Sequence, residues 1–181
     1  MEGRFYKGCP PQEANEVLEG MEYEEESGAL TYKGVRYLLI RPETVMEMYK
    51  ALAEEFPEEA AESFYKGGFA GGSFSAKRYQ ELFGLSGKEA IDFMLKMGGQ
   101  LGWGRFELIS FQPEEGELKV AVHNSAYAQA HGPSDRPVCH FIRGVLAGLA
   151  EGVFARPVVA EETTCLAVGI GPCIFEVRTE A

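Results

Sequence analysis

The hydrophobic pattern changes period several times along the chain, and each change marks an element. Residues 1–27 are acidic and hold no sustained period, which predicts a loosely patterned N-terminal arm. Residues 29–32 and 35–40 flank Lys33 and Gly34 and read as a hairpin. A helical period follows. Pro42 suits a first turn, and Val45, Met48, Tyr49, Leu52 and Phe56 share one face. Pro57 opens a second helix, with Ala60, Ala61, Phe64, Gly68 and Gly71 on one side. Ser86 and Glu89 have capping-box spacing ahead of a third, carrying Ala90, Ile91, Met94, Met97 and Leu101.

After Trp103, between Gly102 and Gly104, the period becomes two. Phe106, Leu108 and Ser110 alternate with Glu107, Ile109 and Phe111. Leu118, Val120 and Val122 alternate with Lys119, Ala121 and His123, and residues 113–116 make the turn between the two runs. Residues 125–137 read as a polar loop. Beyond it Val138, Phe141, Ile142, Val145, Leu146 and Leu149 form one apolar stripe, and Gly144, Ala147 and Gly148 form a second of small residues. Two such faces predict a central helix closely approached by another element, because glycine otherwise costs about 1 kcal/mol in a helix interior. Residues 157–160 and 173–177 supply the last strands. The fold class is α+β: an antiparallel sheet of hairpins packed against a group of helices, one domain over residues 28–181.

Length and composition agree. A chain of 181 residues, 45% hydrophobic, suffices for one domain with its own core. A net charge of −11 argues against nucleic acid or an anionic membrane surface as partner. No window approaches the roughly 20 apolar residues of a membrane span, and the N-terminus lacks a signal-peptide core, so a cytoplasmic protein is expected. In that compartment paired cysteines favour metal or redox chemistry over disulfides.

Several motifs fail on physical grounds. Residues 84–88 are too short for a P-loop, and Gly169 and Gly171 lack a third glycine in register. His123, His131 and His140 form no ligand pair of known spacing, and no catalytic residue is assigned. Gly67, Gly68, Gly71 and Gly72, with Gly144 and Gly148, allow either close helix packing or room for a ligand or a dimer partner beside the backbone. Trp103, Phe106, Phe64 and Phe141 stand where the helical half meets the sheet. They either fill the core or line an apolar ligand pocket.

The cysteines carry the sharper signal. Cys139, Glu162, Cys165 and Cys173 offer three thiolates and one carboxylate, a donor set that suits zinc. Spacing alone leaves a zinc site and inert core thiols both open, with Arg136, His140 and Arg143 placed to hydrogen-bond a charged site. On an unbroken strand Glu161, not Glu162, would share a face with Cys165, so Glu162 requires a bend near Thr163. Cys9 belongs to no cluster.

The segment 41–177 resembles the 4-vinyl reductase domain family, related to the TRAPP-like ligand-binding fold of nitric-oxide signalling and Golgi transport. The resemblance rests on residues 37–42, on Gly102-Trp103-Gly104, on residues 137–144 with Gly148, and on Glu162-x-x-Cys165 followed by Cys173-Ile174-Phe175. It implies a domain that encloses a small apolar or aromatic molecule, pairs as a homodimer, and holds zinc on Cys139, Glu162, Cys165 and Cys173. The expected function is a sensor or carrier whose output lies in a separate protein. The alternatives are an enzyme or accessory of tetrapyrrole vinyl reduction, for which no dinucleotide fingerprint is present, and a structural dimerisation module.

Overall fold

The computed structural model describes residues 14–180, which fall into two compact units dividing after Leu38. Cys9 lies outside the described residues. The first unit holds a short helix α1 (Glu16–Glu19) and strands β1 (Met21–Glu24), β2 (Ala29–Tyr32) and β3 (Val35–Tyr37), paired antiparallel in that order. Asn15 caps α1 by accepting the Leu18 N–H at 3.1 Å. The expected hairpin is β2–β3, turned through Lys33 and Gly34 with φ of 51° and 73°, the left-handed pair of a tight two-residue turn. Its second strand ends at Tyr37, three residues short of the predicted limit, and β1 comes from the segment without a clear period.

The second unit contains helices α2 (Pro42–Ala53), α3 (Pro57–Phe83) and α4 (Gly87–Gln100), the hairpin β4 (Arg105–Gln112) and β5 (Glu117–His123), helices α5 (Ala126–His131) and α6 (His140–Phe154), and strands β6 (Val158–Thr164) and β7 (Cys173–Thr179). The four strands pair antiparallel in the order β4-β5-β7-β6. Leu118, Val120, Val122, Phe175 and Val177 of the sheet meet Ile142, Leu146 and Leu149 of α6 in the core. The class is α+β, as the period changes predicted.

The helix α6 is held on both sides. Its apolar stripe faces the sheet, and its small stripe faces α3. A methyl group on Gly144 or Gly148 would collide with the backbone carbonyls of Tyr65 and Phe69, and one on Gly68 or Gly72 with those of Phe141 and Val145. The glycines therefore set the helices backbone to backbone within one chain. This corrects the expected face of α3: Gly68 and Gly72 point at α6, whereas Gly67 and Gly71 are exposed with open space around them. Gly68 is thus not available to a partner copy.

Other departures have local causes. In α2 the buried residues are Met46 and Tyr49, because the helix packs on α3 and α5, and Met48, Leu52 and Phe56 are left exposed. Ser86 occupies the N-cap of α4 without a side-chain capping bond. Helix α5 forms inside the presumed loop, capped by Ser125, which accepts the Ala128 N–H at 3.3 Å. In β4 a bulge between Leu108 and Ser110 reverses the alternation. Phe111 is turned inward and stacks on Phe154 of α6 at 5.9 Å.

The glycine contact generates a paired prediction. Gly144→Ala should lower unfolding stability by about 1–3 kcal/mol, as forced overpacking does. Gly71→Ala should raise it by about 0.5–1 kcal/mol through helix propensity alone. Urea unfolding midpoints of the two variants should move in opposite directions.

Candidate metal centre

Three elements and one connection deliver one side chain each to a single point. Cys139 is the N-cap residue of α6, Cys173 opens β7, Glu162 lies in β6, and Cys165 follows directly after it. The bend that Glu162 needs is present. Glu162 pairs with Phe175 and Thr164 with Ile174, so Thr163 is an extra residue in the ladder. The bulge sets Glu162 inward and leaves Glu161 exposed.

The ligand atoms of Cys139, Glu162, Cys165 and Cys173 all lie within 4.8 Å of one another, and all four residues are buried. The sulfurs of Cys139 and Cys173 are 3.7 Å apart. A disulfide needs about 2.05 Å. Two sulfurs at vertices of a tetrahedron around zinc, each about 2.3 Å from the ion, stand roughly 3.8 Å apart. Of the carboxylate, Oε2 accepts the Cys139 backbone N–H at 2.9 Å, while Oε1 is buried without a partner. A buried carboxylate oxygen without a donor costs free energy unless something else meets it. The three thiols are free and buried.

Electrostatics point the same way. Burial, reinforced by charge on Cys165, pushes the Glu162 carboxyl up to about 8. Hydrogen bonds to Cys165 and Cys173, then burial, hold the Cys139 thiol above its usual range. The hydrogen bonds from Cys139 and Cys173 hold Cys165 below it. Four acidic donors crowded in a dry site ionise together only beside a cation.

The groups that support these ligands differ from those expected. Ser125, fully buried, lies 3.4 Å from the Cys139 sulfur, and the Leu166 N–H donates to the Cys173 sulfur at 3.4 Å. Sequence reasoning passed over both, since one is a loop serine and the other a backbone group. Its polar cap position before a short apolar run was the signal for Ser125. His140 instead meets the Tyr49 hydroxyl at 3.2 Å through Nε2, Arg136 pairs with Glu58 at 3.4 Å, and Arg143 lies over the Tyr65 ring at 4.7 Å. Burial first, then the charges of Arg143 and Arg136, push the His140 imidazole down to about 4. These three side chains, with Glu161 and Glu162, line a cleft of about 310 Å³ beside the cysteines.

The four aromatic candidates are dispersed more than they are joined. Trp103 meets Phe141 edge-on at 5.7 Å, and Tyr127 stacks on Phe141 at 5.7 Å. Phe64 packs edge-on against Tyr49 at 5.2 Å, and Phe106 lies against Gly98. All four pack on the core cluster, and none of them lines the cleft. His123 bonds Glu107 at 2.8 Å on the sheet surface and is not among the clustered donors. No helix among the described residues is long and apolar enough to cross a membrane.

Residues 118–179 match the profile of the V4R domain. An uncharacterised protein of Methanocaldococcus jannaschii is 35% identical over 75 residues, 41% of this chain and 44% of that protein. The chain thus covers less than half the length of that relative. Among solved structures, the phenol-responsive sensory domain of the transcription activator PoxR with phenol superposes with a TM-score of 0.78 at 16% identity, over 91% of this chain and 87% of that one. A vinyl-4-reductase family protein from Methanocaldococcus jannaschii gives 0.54 at 19% identity, over 80% and 84%. A trafficking protein particle complex subunit 3 from Naegleria fowleri, covalently bound to palmitic acid, gives 0.57 at 15% identity, over 77% and 95%. These likenesses establish a common fold, and residues 118–179 carry the match to the V4R domain.

Proposed function

We propose that this chain is a small-molecule-binding domain built around a structural zinc ion, with an apolar or aromatic ligand enclosed against the helical layer. The observation that carries the reading is the convergence of Cys139, Glu162, Cys165 and Cys173, with the sulfurs of Cys139 and Cys173 3.7 Å apart, close to the roughly 3.8 Å of two thiolates on one tetrahedral zinc. The unpartnered Oε1 of Glu162 is a further donor facing the same need. When bound, zinc supplies cross-linking rather than chemistry, because four protein donors complete a tetrahedron. Cys139 would tie the start of α6 to the ends of β6 and β7, and Ser125 and the Leu166 N–H would hold two of the sulfurs in place.

For the ligand, support comes from aromatic side chains around the start of α6. Trp103, Tyr127 and Phe141 form one connected group, and Tyr49, Phe64, His131 and His140 form another. The PoxR domain of the same fold binds phenol, and the trafficking subunit carries palmitic acid. We read this chain as a sensor or carrier of that general kind, acting as a homodimer. The exposed row of Met48, Leu52 and Phe56 offers an apolar face for a second copy.

Native mass spectrometry of protein purified without chelator should show a dimer with one zinc per chain. Cys173→Ser should lose the metal and melt lower by about 10 °C or more, as removal of a structural zinc does in small domains. A metal-free wild type whose melting is unchanged by excess chelator overturns the zinc reading.

Phenol, indole and long-chain alcohols should raise the melting temperature and perturb the fluorescence of Trp103, the single tryptophan, since a ligand bound only by the folded state stabilises it. Absence of both signals across that panel overturns the apolar ligand.

A further inference from the structure

We infer that Ser125 is a positioning residue of the metal centre, and that it ties the centre to the rings around Trp103. The inference rests on the zinc reading above and deepens it. One hydroxyl meets a metal ligand with its proton and holds α5 with its oxygen.

The ligands of a metal site depend on the hydrogen bonds behind them, which fix their orientation and temper their donor strength. Those behind Glu162 and Cys173 come from main chain: the Cys139 N–H donates to Glu162 at 2.9 Å, and the Leu166 N–H to the Cys173 sulfur at 3.4 Å. The Cys139 sulfur is met by a side chain instead. The Ser125 hydroxyl lies 3.4 Å from it and has no exposed surface. Among the described residues that hydroxyl has two partners. Its oxygen accepts the Ala128 N–H at 3.3 Å, which leaves its proton for the sulfur. A metal-bound thiolate carries no proton, so Ser125 is then the donor and Cys139 the acceptor. Without that sulfur the buried hydroxyl would be left with its proton unmet, at a cost in free energy.

The route from the centre to the rings is short. Ser125 is the N-cap of α5, and the next residue, Ala126, donates its N–H to the Trp103 carbonyl at 3.0 Å. Tyr127 follows, edge-on to Trp103 at 6.1 Å and stacked on Phe141 at 5.7 Å. A displacement of the Cys139 sulfur is therefore passed through one hydroxyl to the first turn of α5 and to Trp103. Leu166 reports on the Cys173 side of the centre and serves as an internal reference.

The test uses the full chain loaded first with zinc and then with cadmium, a larger ion that lengthens each metal–sulfur bond. Two-dimensional NMR of the wild type should show the exchange shifting the amide signals of Leu166 and Ala128 and the indole signal of Trp103. Ser125→Gly retains most of the capping, because glycine at an N-cap is nearly as good as serine. In that variant the Leu166 shift should persist while those of Ala128 and Trp103 are largely lost. Zinc affinity, read by competition with a chromophoric chelator, should fall by about tenfold or more. The sulfur-to-metal band of the cobalt-loaded variant should move to longer wavelength, which loss of a helix cap alone would not cause. Ser125→Thr keeps the hydroxyl and should lie nearer the wild type in both measurements.

A wild type that takes up no metal overturns the zinc reading and this inference together. A metal-loaded wild type in which Leu166 responds and Ala128 and Trp103 do not overturns this inference alone, and that arm requires no variant to fold. Undiminished zinc affinity in Ser125→Gly, or in Ser125→Ala where the glycine variant does not fold, overturns it as well, as does an unmoved cobalt band.

Discussion

The contact on which the rest depends is the backbone-to-backbone approach of α3 and α6. Gly68 and Gly72 on one helix and Gly144 and Gly148 on the other leave no side chain between them. Without Cβ atoms the interhelical distance is set by main-chain atoms, which cannot yield as a leucine or methionine can. That fixes α6 against α3, while its opposite stripe of Ile142, Leu146 and Leu149 presses on the sheet. A helix held on two faces has little freedom to slide. Its first residues, Cys139 to Arg143, are accordingly delivered to one place.

At that place the cluster of donors and the cleft meet in a few residues. Cys139 turns toward the sulfurs of β7 and the β6–β7 connection, and His140 and Arg143 turn toward the cleft. Glu162 touches both, accepting the Cys139 N–H with one oxygen and leaving the other oxygen without a partner. The helix start thus serves as a hub, and the sheet contributes the partners on each side.

Much of this was legible in the residues, and the failures have definite causes. The two stripes of α6 announced a central helix because small and large residues separated cleanly by face. The period of two marked β4 and β5, but not the bulge after Leu108, since one extra residue leaves no compositional trace and brings Phe111 in where Ser110 was expected. In α2 the pattern placed Val45 and Tyr49 correctly on the packed face but took Met48 and Leu52 with them in place of Met46. Met46 looks no different from Met48, and only the position of α3 and α5 decides which is covered. The cysteine cluster depended on resemblance as well as residues, because Cys139 lies far in sequence from Cys165 and Cys173. The arginines of the cleft were noticed but given the wrong partners: chain spacing cannot tell a side chain that faces the sulfurs from one turned aside.

Thr163 shows a different way of storing information. Its side chain is exposed and makes only a long contact to the Ile174 carbonyl, at 3.5 Å. Little about threonine itself is required there. What is required is that some residue occupy the position, because the added step along β6 brings Glu162 round to the same side as Cys165. The donor geometry is therefore written partly as a count of residues. Such a count survives most point substitutions and is erased by a single codon deletion.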